Sequence, residues 1–238
     1  MEITVIHGSP RKSGNTHTAT KLFMDALCRC GEVTFTEFYL PEAMPHFCRG
    51  CMTCVLEGED KCPHATYTLP ILNAMLRADA LIFTTPVYVM SEAGTMKTFL
   101  DHFPYLYIVH RARKEMFSEK AFILCTTLGA GTKTAIKTIA TSLRFWGVNR
   151  VYSTGFALHE VHWNKINPKR RAKIERKIDK KALFFYRQTA LKKRRRPYLF
   201  LYFIVLFLRR MIAGYDDTSL DKQYWVEQGW LRQNPFRS

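Results

Sequence analysis

Two stretches of this chain hold residue types at spacings suited to chemistry. The first is Gly8-Ser9-Pro10-Arg11-Lys12-Ser13-Gly14-Asn15-Thr16. A loop of this kind, opening onto a helix, leaves backbone N–H groups and a positive dipole end free for an anion such as phosphate. Ser9, Ser13, Asn15 and Thr16 add neutral donors, and Arg11 adds a fixed guanidinium fork. Neither G-x-x-x-x-G-K-[ST] nor G-x-G-x-x-G occurs there, which excludes the common triphosphate and dinucleotide loops. A polar turn capped by Ser or Thr would use the same letters. The second stretch is Cys48-x2-Cys51-x2-Cys54-x7-Cys62, four thiols within fifteen residues. Each Cys-x-x-Cys step turns the chain, so one short loop can wrap a [4Fe-4S] cubane. Zinc sites usually separate two Cys-x2-Cys pairs by a longer gap. Free thiols and a labile redox disulfide are the alternatives.

These residues need a frame. Glu2–His7 is predicted as a buried strand ending at Gly8, and Thr16–Cys30 as a helix with apolar residues at helical spacing. Glu32–Leu40 reads as a second strand, and Pro41–Thr66 as a long loop without period, a length that usually signals function. Helix Tyr67–Arg77, strand Ala78–Thr84 broken by Pro86-Val87-Tyr88, and helix Thr95–Val109 follow. Strand Lys120–Thr126, helix Thr132–Trp146 and strand Val148–Ala157 complete the alternation. Near-solid apolar strands alternating with helices imply a parallel sheet covered on both faces. Right-handed crossovers make the expected fold class a flavodoxin-like α/β three-layer sandwich, with a five-stranded parallel sheet in the order 2-1-3-4-5.

Gly8-Ser9-Pro10-Arg11 with Gly14-Asn15-Thr16 resembles the G-S-P-R-x-x-G-N-T signature of the NAD(P)H-dependent FMN reductase family. Thr85-Pro86-Val87-Tyr88 with Gly94, Met96, Lys97, Phe99 and Asp101 resembles that family's P-V-Y…G-x-[LM]-K-x-F-x-D segment. The resemblance runs from Glu2 to Ala157 in the right element order. It implies that Ser9, Arg11, Asn15 and Thr16 hold the FMN phosphate, with Ser13 on the same loop. It places Pro86, Val87 and Tyr88 beside the isoalloxazine ring, and Thr127, Leu128, Gly129 and Gly131 along its pyrimidine side. No side chain need act as acid or base, since the cofactor carries the hydride chemistry. The cysteine spacing is similar to that of the related iron–sulfur flavoproteins, which implies Cys48, Cys51, Cys54 and Cys62 as [4Fe-4S] ligands. The implied activity is an FMN-dependent NAD(P)H oxidoreductase reducing a quinone, flavin, nitroaromatic or protein acceptor. A flavodoxin-like or iron–sulfur electron carrier without turnover is the alternative. Members of the family often dimerise, so a homodimer or higher homo-oligomer is expected. Cys28, Cys30 and Cys125 fall on predicted helix and strand, where buried packing is their expected role.

Charge divides the chain. Up to Asn164 there are 16 Lys and Arg against 14 Asp and Glu; from Lys165 onward the counts are 20 and 6. The expected organisation is therefore a flavin domain, 1–164, with the cysteine loop 41–66 inserted, and a basic helical and aromatic extension, 165–238. Confinement of the basicity to the extension argues against nucleic acid as a partner. Pro168–Leu191 reads as a helix, Lys192–Arg196 is a block of five cations, and Pro197 precedes the apolar run Tyr198–Leu208. That run is too short to span a bilayer. It is expected either to pack on the domain or a second subunit, or to make peripheral membrane contact through 192–210. Asp221–Leu231 holds too many aromatics for a disordered tail and is expected to dock, near the flavin. The N-terminal apolar run is too short for a secretory signal. With seven cysteines suited to a reducing compartment, the expected location is cytoplasmic.

Overall fold

β-branched and aromatic runs bounded by turn residues build one sheet whose two faces are both covered. The computed structural model describes residues 1–191 and 198–236. Strand β1 (Glu2–His7) pairs in parallel with β2 (Thr34–Tyr39) on one side and β3 (Ala80–Tyr88) on the other. A two-residue strand, β4 (Ser91–Glu92), folds back antiparallel on the end of β3. β5 (Lys120–Thr127) and β6 (Arg150–Ala157) continue the parallel sheet, in the order β2-β1-β3-β5-β6. This is the flavodoxin-like order expected from the alternation of elements.

The helices are α1 (Asn15–Cys28), α2 (Leu40–Ala43), α3 (Thr53–Leu56), α4 (Ala65–Arg77), α5 (Gly94–Asp101), α6 (Thr132–Phe145), α7 (Pro168–Ala190), α8 (Leu199–Ala213) and α9 (Leu220–Glu227). Strand side chains alternate between faces. Along β5, Phe122 and Leu124 join a core with Phe23 of α1 and Ile174, Ile178, Ala182 and Phe185 of α7. Ala121 and Ile123 join the opposite core with Ile71 of α4, Phe99 of α5 and Leu143 of α6. Asn167 starts α7 by accepting the Lys169 and Arg170 N–H groups on Oδ1, at 3.0 and 3.4 Å. α7 covers one face of the sheet, so Ile174, Ile178, Ala182 and Phe185 pack on α1 and β5.

Several expected boundaries shift for identifiable reasons. β3 does not break at Pro86-Val87-Tyr88 but runs through to Tyr88. Its partner β1 stops at the His7–Thr84 pair, so Pro86 pairs only with β5, where a missing N–H costs nothing. The helix expected over Thr95–Val109 ends at Asp101, and Pro104 opens a short 3₁₀ turn instead. The loop expected over Pro41–Thr66 contains α2, α3, a 3₁₀ turn at Glu59–Lys61 and the start of α4. Cys125 is buried as expected, but Cys28 is exposed and Cys30 half-exposed.

The basic block Lys192–Arg196 and Pro197 lie outside the described residues. Beyond them, α8 lays Leu201, Val205, Leu208 and Ile212 on Ile108, Ala112 and Phe117, and Trp225 and Trp230 close this third core. Leu201–Ile212 spacing is that of one helical stripe. The packing expected for Tyr198–Leu208 is thus present on one side of α8. Among the described residues, no helix is long and apolar enough to cross a membrane.

Phe185 is fully buried, 5.3 Å from the Phe122 ring and 6.3 Å from Phe23. Phe185→Ala should therefore cost about 3–5 kcal/mol in urea unfolding. A cost near zero would detach α7 from the domain.

Candidate functional site

The carboxyl edge of the sheet has a step. β1 stops at His7 while β3 continues four residues past their last pair, His7 with Thr84, to Tyr88. Such an edge, where the strand order reverses, is where open α/β sheets bind ligands. Gly8 bridges the step, its N–H donating to Thr84 O at 2.7 Å while Thr95 Oγ1 donates to Gly8 O at 2.5 Å. A Cβ at Gly8 would sit 2.9 Å from Thr84 O, so the turn needs glycine.

A cavity of about 140 Å³ opens on this step. Ser9, Arg11, Gly14, Asn15 and Thr16 line one side, Pro86, Val87 and Tyr88 another, and Thr126, Thr127 and Leu128 a third, with buried Leu158 and exposed Val161 completing the lining. Gly14 is the N-cap of α1 and has no side chain to accept the helix's first N–H groups. Those donors are left for a ligand, which is what a phosphate requires. Ser9 Oγ accepts the Arg11 N–H at 3.2 Å and holds the turn closed. Lys12 is drawn outward, onto Glu42 at 2.8 Å and over the Tyr39 ring at 4.7 Å. Asn15 Nδ2 donates to Glu160 O at 2.8 Å, tying the loop to the segment after β6. Thr16 and Thr126 hydroxyls share a 2.7 Å hydrogen bond that ties α1 to β5.

Of the residues named from the sequence, Ser9, Arg11, Asn15, Thr16, Pro86, Val87, Tyr88, Thr127 and Leu128 line this one cavity, whereas Ser13, Gly129 and Gly131 are not among its lining. Ser13 is exposed on the outside of the turn. Gly129 N–H donates to Thr127 Oγ1 at 3.3 Å. Gly131 has φ +96°, and a Cβ there would meet Val87 Cγ1 at 2.7 Å and Met90 Cα at 2.9 Å. Its role is to let the β3–β4 hairpin close on the β5–α6 loop. Thr126, Leu158 and Val161 were not anticipated, although any residue following a strand on this edge was a candidate. At the hairpin tip, Val89 and Met90 both have positive φ, 46° and 66°, as a two-residue turn of this hand requires. A β-branched residue there is strained, and Val89 is 99% exposed. Tyr88, Met90, Leu128 and Val161 are exposed beside it, giving the cavity an apolar rim.

Cys48, Cys51, Cys54 and Cys62 line a second cavity, of about 280 Å³, with His64, Asp101 and His102. None of the seven cysteines is in a disulfide. Among the described residues no group of three or more His, Cys, Asp or Glu side chains is arranged to hold a metal ion; the four thiols share the lining of one cavity. Four thiolates are the donor set that a cubane cluster takes. Burial, and after it the neighbouring thiols, push Cys54 up to about 11, and burial raises Cys62. Hydrogen bonding with Thr53 lowers exposed Cys51. His64 Nδ1 and His102 Nε2 lie 2.9 Å apart, and His102 Nδ1 donates to Thr98 O at 2.7 Å.

Arg111, 5% exposed, was invisible in the sequence and organises this second site. Its guanidinium donates to Cys54 O at 2.5 Å, Val55 O at 3.0 Å and Asp221 Oδ1 of α9 at 2.5 Å. His110 Nδ1 contacts Asp221 Oδ2 at 2.7 Å, and Arg113 pairs with Glu59. Trp225 Nε1 donates to His110 O at 2.7 Å and Tyr224 to Ala112 O at 2.6 Å. The segment Asp221–Leu231 therefore docks as expected, but beside the cysteine loop and not among the lining residues of the first cavity.

Fold and edge together define a flavodoxin-like α/β protein with a cavity and an uncapped helix start at its topological switch point. The chain belongs to the NADPH-dependent FMN reductase family, whose sequence profile matches residues 1–162. It is 33% identical over 129 residues to an iron–sulfur flavoprotein of Clostridioides difficile (strain 630), covering 53% of this chain and 54% of that one. With an iron–sulfur flavoprotein of Archaeoglobus fulgidus it shares 32% over 103 residues, 42% of this chain and 44% of the relative. The chain thus spans about half the length of the curated relatives it matches. Among solved structures, the NAD(P)H:quinone oxidoreductase of Methanothermobacter marburgensis superposes with TM-score 0.59 at 18% identity, covering 77% of this chain and 96% of that one. An FMN-dependent NADH-azoreductase of Bacillus anthracis (strain Ames Ancestor), solved with FMN, gives TM-score 0.59 at 10% identity, covering 78% and 100%. At these identities the two structures share the fold.

In the iron-free protein, alkylation followed by mass spectrometry should modify Cys51 first. Cys54 should react slowly, as should Cys125, which burial pushes to about 12. Asp221→Ala removes the nearer of buried Arg111's two carboxylates and leaves Glu59 at 3.4 Å, a loss of up to about 3–5 kcal/mol, and should accelerate alkylation of Cys54. Unchanged Cys54 reactivity in that variant would separate α9 from the cysteine loop.

Proposed function

We propose that this chain is an FMN-dependent NAD(P)H oxidoreductase with the flavin in the edge cavity. The observation that carries this reading is the uncapped start of α1 behind Ser9, Arg11, Asn15 and Thr16, facing the Pro86–Tyr88 wall. In this reading Arg11, with no side-chain partner among the described residues drawing it away as Glu42 draws Lys12, meets the phosphate. Ser9, Asn15 and Thr16 and the first N–H groups of α1 complete the anion cradle, and Ser13 serves the outside of the turn. Pro86, Val87 and Tyr88 form a flat side for the ring, with Thr127 and Leu128 opposite; Gly129 and Gly131 shape their loop. When bound, FMN supplies the acceptance of hydride from NAD(P)H and delivery of the electrons to an acceptor. The exposed rim at Tyr88, Val89, Met90 and Leu128 leaves a flat approach for a planar quinone, flavin or nitroaromatic acceptor. The flavin unit runs from Met1 through Ala190, with 198–236 as a docked arm.

A second reading has its own observation. The presence of Cys48, Cys51, Cys54 and Cys62 in the lining of one cavity suits a [4Fe-4S] cluster, and the curated relatives are named iron–sulfur flavoproteins. With a cluster present the chain relays single electrons to a protein acceptor, and a carrier without turnover is its limiting case. Anaerobic purification with an iron assay and absorption spectrum tests the cluster. Steady-state NAD(P)H oxidation with FMN and a range of acceptors distinguishes reductase from carrier.

Arg11→Ala should weaken FMN binding by about 10- to 100-fold, the value of a charged hydrogen bond, read by flavin fluorescence. Riboflavin, which lacks the phosphate, should bind wild type and variant equally. Equal FMN affinity in the two proteins would remove the phosphate from this loop.

A further inference from the structure

A groove of about 590 Å³ runs between α7 and the end of β6 and belongs to neither site described above. Phe156, Ala157 and Ile174 give it an apolar wall, and Lys169, Arg170, Lys173 and Lys177 give it four cations. Among the described residues no carboxylate lines it. The two acids of α7 are engaged by other cations, Glu175 by Arg171 at 3.9 Å and Asp179 by Arg29 at 2.6 Å. Lys169, Lys173 and Lys177 recur every four residues, so they share one stripe of the helix. Two of the cations are turned onto the strand. Arg170 Nη2 donates to Ala157 O at 2.7 Å, and Lys177 Nζ lies 5.1 Å from the centre of the Phe156 ring.

Four like charges along one groove repel one another, and a phosphate dianion there would replace that repulsion with attraction. Position in the fold selects the source of the phosphate. Phe156 and Ala157 close β6 and pair in register with Thr126 and Thr127 of β5, which line the edge cavity. Leu158, the next residue, lines that cavity as well. Groove and cavity therefore adjoin across one strand spacing of about 4.8 Å. A nicotinamide dinucleotide that brings its reacting ring to the edge cavity must lay its adenosine half on the neighbouring surface. NADPH differs from NADH only by a phosphate on the adenosine ribose, and a nearby guanidinium is a usual means of accommodating it.

We propose that the groove between α7 and β6 receives the adenosine 2′-phosphate of NADPH and makes NADPH the preferred reductant. Lys169, Arg170, Lys173 and Lys177 meet the phosphate, and the apolar wall of Phe156 and Ile174 carries the adenosine. The proposal rests on the oxidoreductase reading, which brings the nicotinamide to the edge cavity.

The test is calorimetry on the full chain, supplied with FMN, with adenosine 2′,5′-bisphosphate and with AMP, alongside steady-state oxidation of NADPH and NADH. The bisphosphate should bind about tenfold or more tightly than AMP, the value of a charge-assisted hydrogen bond, and the margin should shrink as salt rises. K169Q/K173Q should erase the margin and raise the ratio of KM for NADPH to KM for NADH by about tenfold. Both lysines are exposed and neither belongs to the core that α7 covers, so the variant keeps its fold. Equal binding of the two probes by wild type overturns the proposal, as does a margin or a KM ratio that K169Q/K173Q leaves unmoved. Displacement of the bisphosphate by an equal concentration of inorganic phosphate assigns the groove to any small anion and also overturns it. The underlying reading fails separately. Turnover of both nucleotides without the margin removes the groove and keeps the reductase, whereas the margin without any turnover keeps the phosphate site and removes the reductase.

Discussion

The arrangement of this protein turns on unequal strand lengths at one edge of its sheet. β1 ends at His7 while β3 continues to Tyr88, so the chain leaving β1 must turn sharply beside a strand that is still extended. Gly8 makes that turn against Thr84, and Gly14 then starts α1 without a capping side chain. The unpaired donors and the flat Pro86–Tyr88 wall arise from the same step. An anion and a planar ring can therefore be held side by side with no dedicated insertion. The residues of the resembled signature are the ones this geometry requires: glycine where a Cβ would strike Thr84 O, and small polar side chains around exposed N–H groups.

What the sequence made legible follows from how local each feature is. Glu2–His7 was readable to the residue because its apolar run is bounded by a turn that only one conformation fits. The strand order followed from the alternation of elements and the handedness of crossovers. Pro86 misled, because a proline marks a break only if its neighbouring strand is still present, and the end of β1 is a tertiary fact. Thr126, Leu158 and Val161 were missed for the same reason, since their place in the cavity depends on how far β5 and β6 project. At Gly131 the positive φ and the closeness of Val87 give a conformational reason for glycine that no sequence pattern shows. Arg111 and Asp221 are separated by 110 positions, and no pattern in composition or period links them.

The arm after α7 has a divided character that its composition concealed. Its high positive charge suggested an appendage, yet one stripe of α8 and the aromatic rings of Tyr224, Trp225 and Trp230 close a core of their own on the segment after α5. Few acids occur in the arm, and one of them, Asp221, is buried against a guanidinium and an imidazole. A buried charge left unpaired is costly, so this contact fixes where α9 sits more than it adds to stability.

One guanidinium thus serves two masters, the carbonyls of Cys54 and Val55 and the carboxylate of Asp221. Energetic linkage of this sort is symmetrical. Whatever group fills the thiol-lined cavity, the free energy by which its binding favours the docked position of α9 equals that by which docked α9 favours its binding. Pulling the arm away must loosen the grip on that group to the same extent. Stress on the far end of the polypeptide is in this way felt at its cysteines, across a span of sequence that includes the whole of the last two strands.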